Sequence, residues 1–163
     1  MPASYSVGID LGTTNSVIST LALEDADGRV GIQGVEQITQ PGQVESFDSL
    51  PSFLYLPRDG ECDALRSDFQ SEPHRGIAGH YAKRQAADNP ERVVVAAKSW
   101  LCHHESGRTG AVLPWQSPTE VQKVSAMEAT QTFLEHLIAA WQKSNPGHQL
   151  RDQHVTLTVP ASF

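Results

Sequence analysis

Apolar and polar positions alternate most sharply at the start of the chain. Tyr5-Ser6-Val7-Gly8-Ile9-Asp10-Leu11 and Ser16-Val17-Ile18-Ser19-Thr20-Leu21-Ala22-Leu23 are two β-branched runs on either side of Gly12-Thr13-Thr14-Asn15. Runs of that kind broken by a glycine and short polar residues predict an antiparallel hairpin. After the polar Glu24-Asp25-Ala26-Asp27-Gly28, Val30 to Val35 reads as a third strand, which makes the opening a three-stranded meander. Glu36 to Leu50 is polar around Pro41-Gly42 and reads as a loop. Pro51-Ser52-Phe53-Leu54-Tyr55-Leu56 resumes strand character, and Pro57 to Gly76 reads as a second loop.

Ile77 to Asn89 mixes Ala, Lys, Arg and Gln and stops at Asn89-Pro90, the pattern of a short helix ended before a proline. Val93 to Leu101 is apolar and fits strand or helix, and His103 to Pro118 reads as a loop. Between Thr119 and Lys143, Val124, Met127, Leu134, Leu137, Ile138 and Trp141 recur at three- and four-residue steps and predict the one long helix. Two capping boxes compete for its start, Ser117 with Glu120 and Ser125 with Glu128. Asn145-Pro146-Gly147 ends the helix, and His154-Val155-Thr156-Leu157-Thr158-Val159 is a closing β-run before Pro160. Strands, an inserted segment, a helix and a further strand make an α/β fold.

At 163 residues the chain is long enough to bury a core. A hydrophobic fraction of 39% with 19% charged residues excludes a disordered acidic tail and a coiled coil. The net charge of −7 and the lack of a basic cluster argue against nucleic acid or an anionic membrane as the main partner. Two cysteines, Cys62 and Cys102, are too few for a disulfide framework. The first residues carry no secretion signal, and no apolar run approaches the ~20 residues of a membrane span, so a cytoplasmic protein without a membrane anchor is expected.

Gly8 to Ser16 carries the chemistry. An apolar strand ends in Asp10, and the turn behind it offers Gly12 for close backbone approach and then two hydroxyl residues, so N–H groups and hydroxyls can converge on an anion. A carboxylate there repels a bare phosphate but suits a phosphate that shares a water-coated magnesium ion. An ordinary glycine hairpin with a solvent-facing aspartate is the competing reading. Cys62, His74 and His80, and Cys102-His103-His104, lack the paired spacing of a zinc site and read as ordinary side chains. Met127, Phe133 and Trp141 read as core, and Trp100 and Trp115 as flanking an irregular loop.

The string Gly8-Ile9-Asp10-Leu11-Gly12-Thr13-Thr14-Asn15-Ser16 resembles the first phosphate loop of the DnaK-type heat-shock chaperones, whose ATPase domain belongs to the actin and sugar-kinase superfamily. Three further blocks are similar to that family in its order: Leu50-Pro51-Ser52-Phe53, Gly79 to Pro90 followed by Val95-Ala96-Ala97-Lys98, and Val155 to Phe163, which resembles the strand ending in the family's switch proline. The resemblance implies an actin-like, ribonuclease-H-like fold in which residues 1–50 and 119–163 form part of the first lobe and 51–118 a small inserted subdomain. It implies that Asp10 orients magnesium-bound water, that Gly12, Thr13, Thr14 and Asn15 line the ATP or ADP phosphates, and that Lys98 stabilises charge around the attacking water.

The implied activity is ATP hydrolysis driving cycles of unfolded-polypeptide binding and release in a stress-response chaperone, served by a J-domain protein and a nucleotide exchange factor. Ser99, Cys102 and Ser162 depart from the family pattern, where a basic residue, a glycine and an aromatic are expected. The family's second, glycine-rich phosphate loop has no counterpart up to Phe163, so this chain by itself is expected to be inactive as an ATPase and to bind ATP weakly or not at all. A sugar kinase or actin-like filament protein, and a truncated interaction module that does not hydrolyse ATP, are the alternatives. The blocks around Lys98 and Val159-Pro160 speak against the first.

Overall fold

A computed structural model describes residues 2–25, 27–70, 72–103 and 108–159. Three blocks set the architecture: an open sheet, a two-stranded hairpin and a small three-stranded sheet, with one long helix crossing between the first two strands of the main sheet and its last.

The first hairpin forms as its pattern dictates. β1 (Tyr5–Leu11) and β2 (Asn15–Ala22) pair antiparallel from Tyr5↔Ala22 to Leu11↔Ser16. Alternation puts Val7, Ile9 and Leu11 of β1 on the buried face, opposite Ser16 and Ile18 of β2. The third strand is shorter than its sequence suggests. Only β3 (Gly31–Ile32) joins β2, while Val30 stands exposed and Val35 turns into another sheet. The last strand, β10 (His154–Leu157), lies parallel to β1 with Ser6 opposite His154 and Ile9 opposite Leu157, giving the order β10-β1-β2-β3.

The segment from Glu36 to Leu50 is not a loop. β4 (Val35–Gln40) and β5 (Gln43–Phe47) form a hairpin closed at Pro41-Gly42, where Gly42 has φ +74°. Proline followed by glycine at positive φ is the signature of a type II turn. Polarity hides the hairpin in the sequence, because Gln37 and Thr39 are buried polar side chains. Gln37 is fully buried and satisfied: its Nε2 donates to the Ser49 carbonyl at 2.8 Å and its Oε1 accepts from the His80 N–H at 3.1 Å. That second bond ties the hairpin to the first turn of α1 (His80–Asp88).

After β6 (Leu50–Pro51), which pairs with the start of β2, β7 (Phe53–Tyr55) is the central strand of the small sheet, flanked by β8 (Ile77–Ala78) and β9 (Val93–Val95). Val93 to Leu101 resolves into strand and helix in succession: β9, then Ala96 in the left-handed region at φ 53°, then α2 (Ala97–Trp100). The left-handed conformation costs a non-glycine residue on the order of 1 kcal/mol, so the bend that delivers α2 is held against local preference.

The long helix, α3 (Ala126–Ser144), begins at the second of the two capping boxes. Ser125 Oγ accepts the Glu128 N–H at 3.1 Å, and the Ser125 N–H donates to Glu128 Oε2 at 2.7 Å. The earlier start fails because Val124 exchanges two backbone hydrogen bonds with Leu113, which keeps the chain extended just before the helix. Ala126, Ala129, Phe133, Leu137 and Trp141 pack on the main sheet, and Trp141 Nε1 donates to Thr20 Oγ1 at 3.0 Å. Met127, read from its spacing as core, is instead 45% exposed. Among the described residues no helix is long and apolar enough to cross a membrane.

His136 holds α3 to the β4–β5 hairpin. Its Nε2–H donates to the Glu36 carbonyl at 2.7 Å, which leaves Nδ1 as a buried acceptor without a partner among the described residues. Burial pushes its pKa below the ordinary 6.5, only partly offset by the Glu36 bond. The unfolded chain therefore takes up a proton that the folded chain resists, and stability present above about pH 6.5 is lost as pH falls below it. The urea midpoint should drop between about pH 7.5 and about pH 5, and His136→Gln should drop less; parallel pH profiles for the two proteins would contradict this.

Candidate functional site

The turn between β1 and β2 lies at one end of the main sheet, where β6 pairs with Asn15 and Ser16. Asp10 is exposed at the end of β1, and Thr13, Thr14 and Asn15 are exposed at the tip. Gly12 is pressed so tightly into the turn that a Cβ there would lie 2.0 Å from the Asn15 carbonyl oxygen. Only glycine fits this backbone without displacing it, because the two ends of the turn approach each other so closely.

Lys98 lies far along the chain but meets this turn in space. The bend at Ala96 swings α2 so that Lys98 lines the same cleft as Gly12, a cavity of about 270 Å³. Leu101, Phe133 and Leu157 form much of its remaining wall, and Met127 sits on α3 at its side. Lys98 is half-buried there. Apolar walls displace water and strengthen the attraction between an ammonium group and any anion that enters.

Two contacts at the site escaped the sequence reading. Thr158 Oγ1 donates to Asp10 Oδ1 at 2.7 Å and accepts the Leu11 N–H at 3.2 Å, while the Thr158 N–H donates to the Ile9 carbonyl at 3.0 Å. The carboxylate is thus oriented by the strand that runs parallel to its own. Ser52 is the second. It is 3% exposed, and its hydroxyl donates to the Gly12 carbonyl at 2.8 Å. Neither residue is distinctive in sequence; the alternation of Thr156, Leu157 and Thr158 is the one hint that a hydroxyl faces β1.

The remaining candidates fall as follows. Asp10, Gly12, Thr13, Thr14 and Asn15 sit together on the hairpin; of these, Gly12 lines the cavity that Lys98 also lines. Ser99 is exposed on α2 beside Lys98, and Cys102 is half-buried in the turn that follows the helix. His80 stacks on Phe47 at 3.9 Å, and Trp100 packs on Trp115 at 5.1 Å, so these rings have neighbours of their own. His104 and the block Pro160-Ala161-Ser162-Phe163, with the proline expected to act as a switch, lie outside the described residues. No protein-family model matches the chain.

The donor set suits a magnesium–phosphate ligand. Among the described residues no group of three or more His, Cys, Asp or Glu side chains gathers around Asp10 or elsewhere. A hard cation held by one carboxylate through its own waters and by phosphate oxygens needs no such cage. The phosphate side of such a ligand would fall to the glycine turn and its two hydroxyl residues.

Gly12→Ala should cost about 1–3 kcal/mol, as overpacking does elsewhere, with amide shift changes centred on residues 10–16. A urea midpoint equal to that of the parent would show that the turn is looser than its geometry implies.

Proposed function

We propose that this chain forms one wall of the nucleotide cleft of a DnaK-type chaperone ATPase, with an actin-like core. The observation that carries the reading is the meeting of the Gly12 turn and Lys98 in one cleft, with Asp10 fixed beside them by Thr158. The hairpin strands, the crossing helix and the parallel strand in the order β10-β1-β2-β3 support the same superfamily.

In this reading Gly12, Thr13, Thr14 and Asn15 cradle the β- and γ-phosphates of ATP or ADP, and Asp10 orients water on magnesium. The ion, when bound, offsets the phosphate charge that would otherwise oppose Asp10. Lys98 holds the negative charge that spreads over the transferring group and positions the attacking water beside it. No covalent nucleophile is required, because phosphoryl transfer depends chiefly on placement and on preorganised charge. ATP hydrolysis would then drive binding and release of unfolded polypeptide in the cytoplasm, with a J-domain protein and a nucleotide exchange factor as partners.

In this reading the residues described form one wall of the cleft, and one wall by itself grips a nucleotide weakly. Calorimetric titration of the chain with ATP and magnesium should show affinity weaker than micromolar, and micromolar binding would overturn the one-wall account. In a longer polypeptide that supplies the second wall, Lys98→Ala should abolish turnover while nucleotide binding persists. Unchanged turnover would remove Lys98 from its role.

A further inference from the structure

Two buried serines, Ser16 and Ser52, hold the turn and line the same cavity as Gly12 and Lys98. The Ser52 hydroxyl donates to the Gly12 carbonyl at 2.8 Å, and the Ser52 N–H donates to the Thr14 carbonyl at 2.9 Å. Ser16 Oγ lies 3.1 Å from Ser52 Oγ, and both side chains are almost completely removed from solvent. Ser16 begins β2 directly after the turn, whereas Ser52 lies between β6 and β7, on the stretch that leads from the main sheet into the small one.

The consequence follows from the planarity of the peptide group. In a trans peptide the C=O of one residue and the N–H of the next point in opposite directions. The peptide bonds of the turn are trans, the cis bond of the described chain being Leu113–Pro114. With the Gly12 and Thr14 carbonyls drawn to Ser52, the N–H groups of Thr13 and Asn15 are directed away from it. Carbonyl oxygens are the groups that would repel an anion, and Ser52 occupies two of them. The remaining donors are then set at fixed spacing along residues that are exposed.

We propose that Ser52, braced by Ser16, is the positioning residue that keeps the Gly12 to Asn15 turn in its anion-accepting form. The Ser52 hydroxyl is already engaged by the Gly12 carbonyl and by Ser16. Ser52 acts through the two carbonyls, and so couples the turn to the strand it precedes: Phe53, the next residue, accepts the Gly79 N–H at the base of α1 through its carbonyl at 3.1 Å. A shift of the small sheet is thereby transmitted to the donors of the turn. The inference rests on the proposed function only in that the turn receives phosphate.

The test uses the chain as it is, labelled with nitrogen-15 and titrated with inorganic phosphate into the millimolar range. The parent should show saturable shifts at the Thr13 and Asn15 amides. Ser52→Ala should bind about tenfold more weakly, the equivalent of roughly one hydrogen bond, with dispersed signals and an unchanged Trp141 indole resonance. Ser52→Thr, which keeps the hydroxyl, should stay within about twofold of the parent. Equal affinity in the parent and Ser52→Ala would overturn the role of Ser52, whereas silence of the turn amides in the parent would overturn the phosphate reading of the turn and this inference with it. Should Ser52→Ala fail to fold, Ser16→Ala removes only the brace and should weaken binding about threefold; unchanged affinity there would equally overturn the proposal.

Discussion

The cleft depends on β1 being bonded along both of its edges. β2 holds it on one side and β10 on the other, and the Thr158 hydroxyl extends that second seam by one residue, to the Asp10 carboxylate and the Leu11 amide. A strand held on both edges has little freedom at its end. What is attached there, an acid and then a tight turn, inherits that rigidity. A turn at the tip of an isolated hairpin would lack it, since two strands alone are marginal in water.

Rigidity at the turn is matched by cost elsewhere. Ala96 sits in the left-handed region to aim α2 into the cleft, and conformations of that kind persist only where surrounding packing over-determines them. Here Ala97 and Leu101, on either side of Lys98, are buried in the main core. Apolar burial of its neighbours places the lysine, and Lys98 itself is left half-buried at the cleft. The neighbouring segments contribute in the same indirect way, through Ser52, which holds the Gly12 carbonyl, and through Gln37, which links the β4–β5 hairpin to α1.

Sequence pattern was enough for the first hairpin, the long helix and the last strand, and the Asn89-Pro90 stop for the short helix: β1 and α3 bury mainly apolar residues at the period of the element, whereas β10 is exposed along its length and shows only its β-branched run. It was not enough where burial is polar. Gln37 and Thr39 made a strand look like a loop, and Ser16 and Ser52, the residues that hold the turn, carry no pattern of their own. Spacing also placed Met127 in the core, although helical periodicity does not say where a packed face ends and a cleft begins. Of the candidate site, the hairpin residues were legible because glycine and hydroxyl chemistry is local. The approach of Lys98 to Gly12 came from the family resemblance; residue spacing alone would have made it a surface lysine. Thr158 and Ser52 could be found only from the pairing of strands distant in sequence.

The central claim is that Asp10, the Gly12 turn and Lys98 form one site for a metal-bound phosphate. The most direct measurement is paramagnetic: manganese–ATP added to the nitrogen-15 labelled chain, with line broadening read residue by residue. Broadening strongest from Asp10 to Asn15, reaching Lys98 and leaving α1 sharp, is the result expected. Broadening centred instead on exposed carboxylates such as Asp59 and Asp63, with the hairpin tip and Lys98 unaffected, would contradict it.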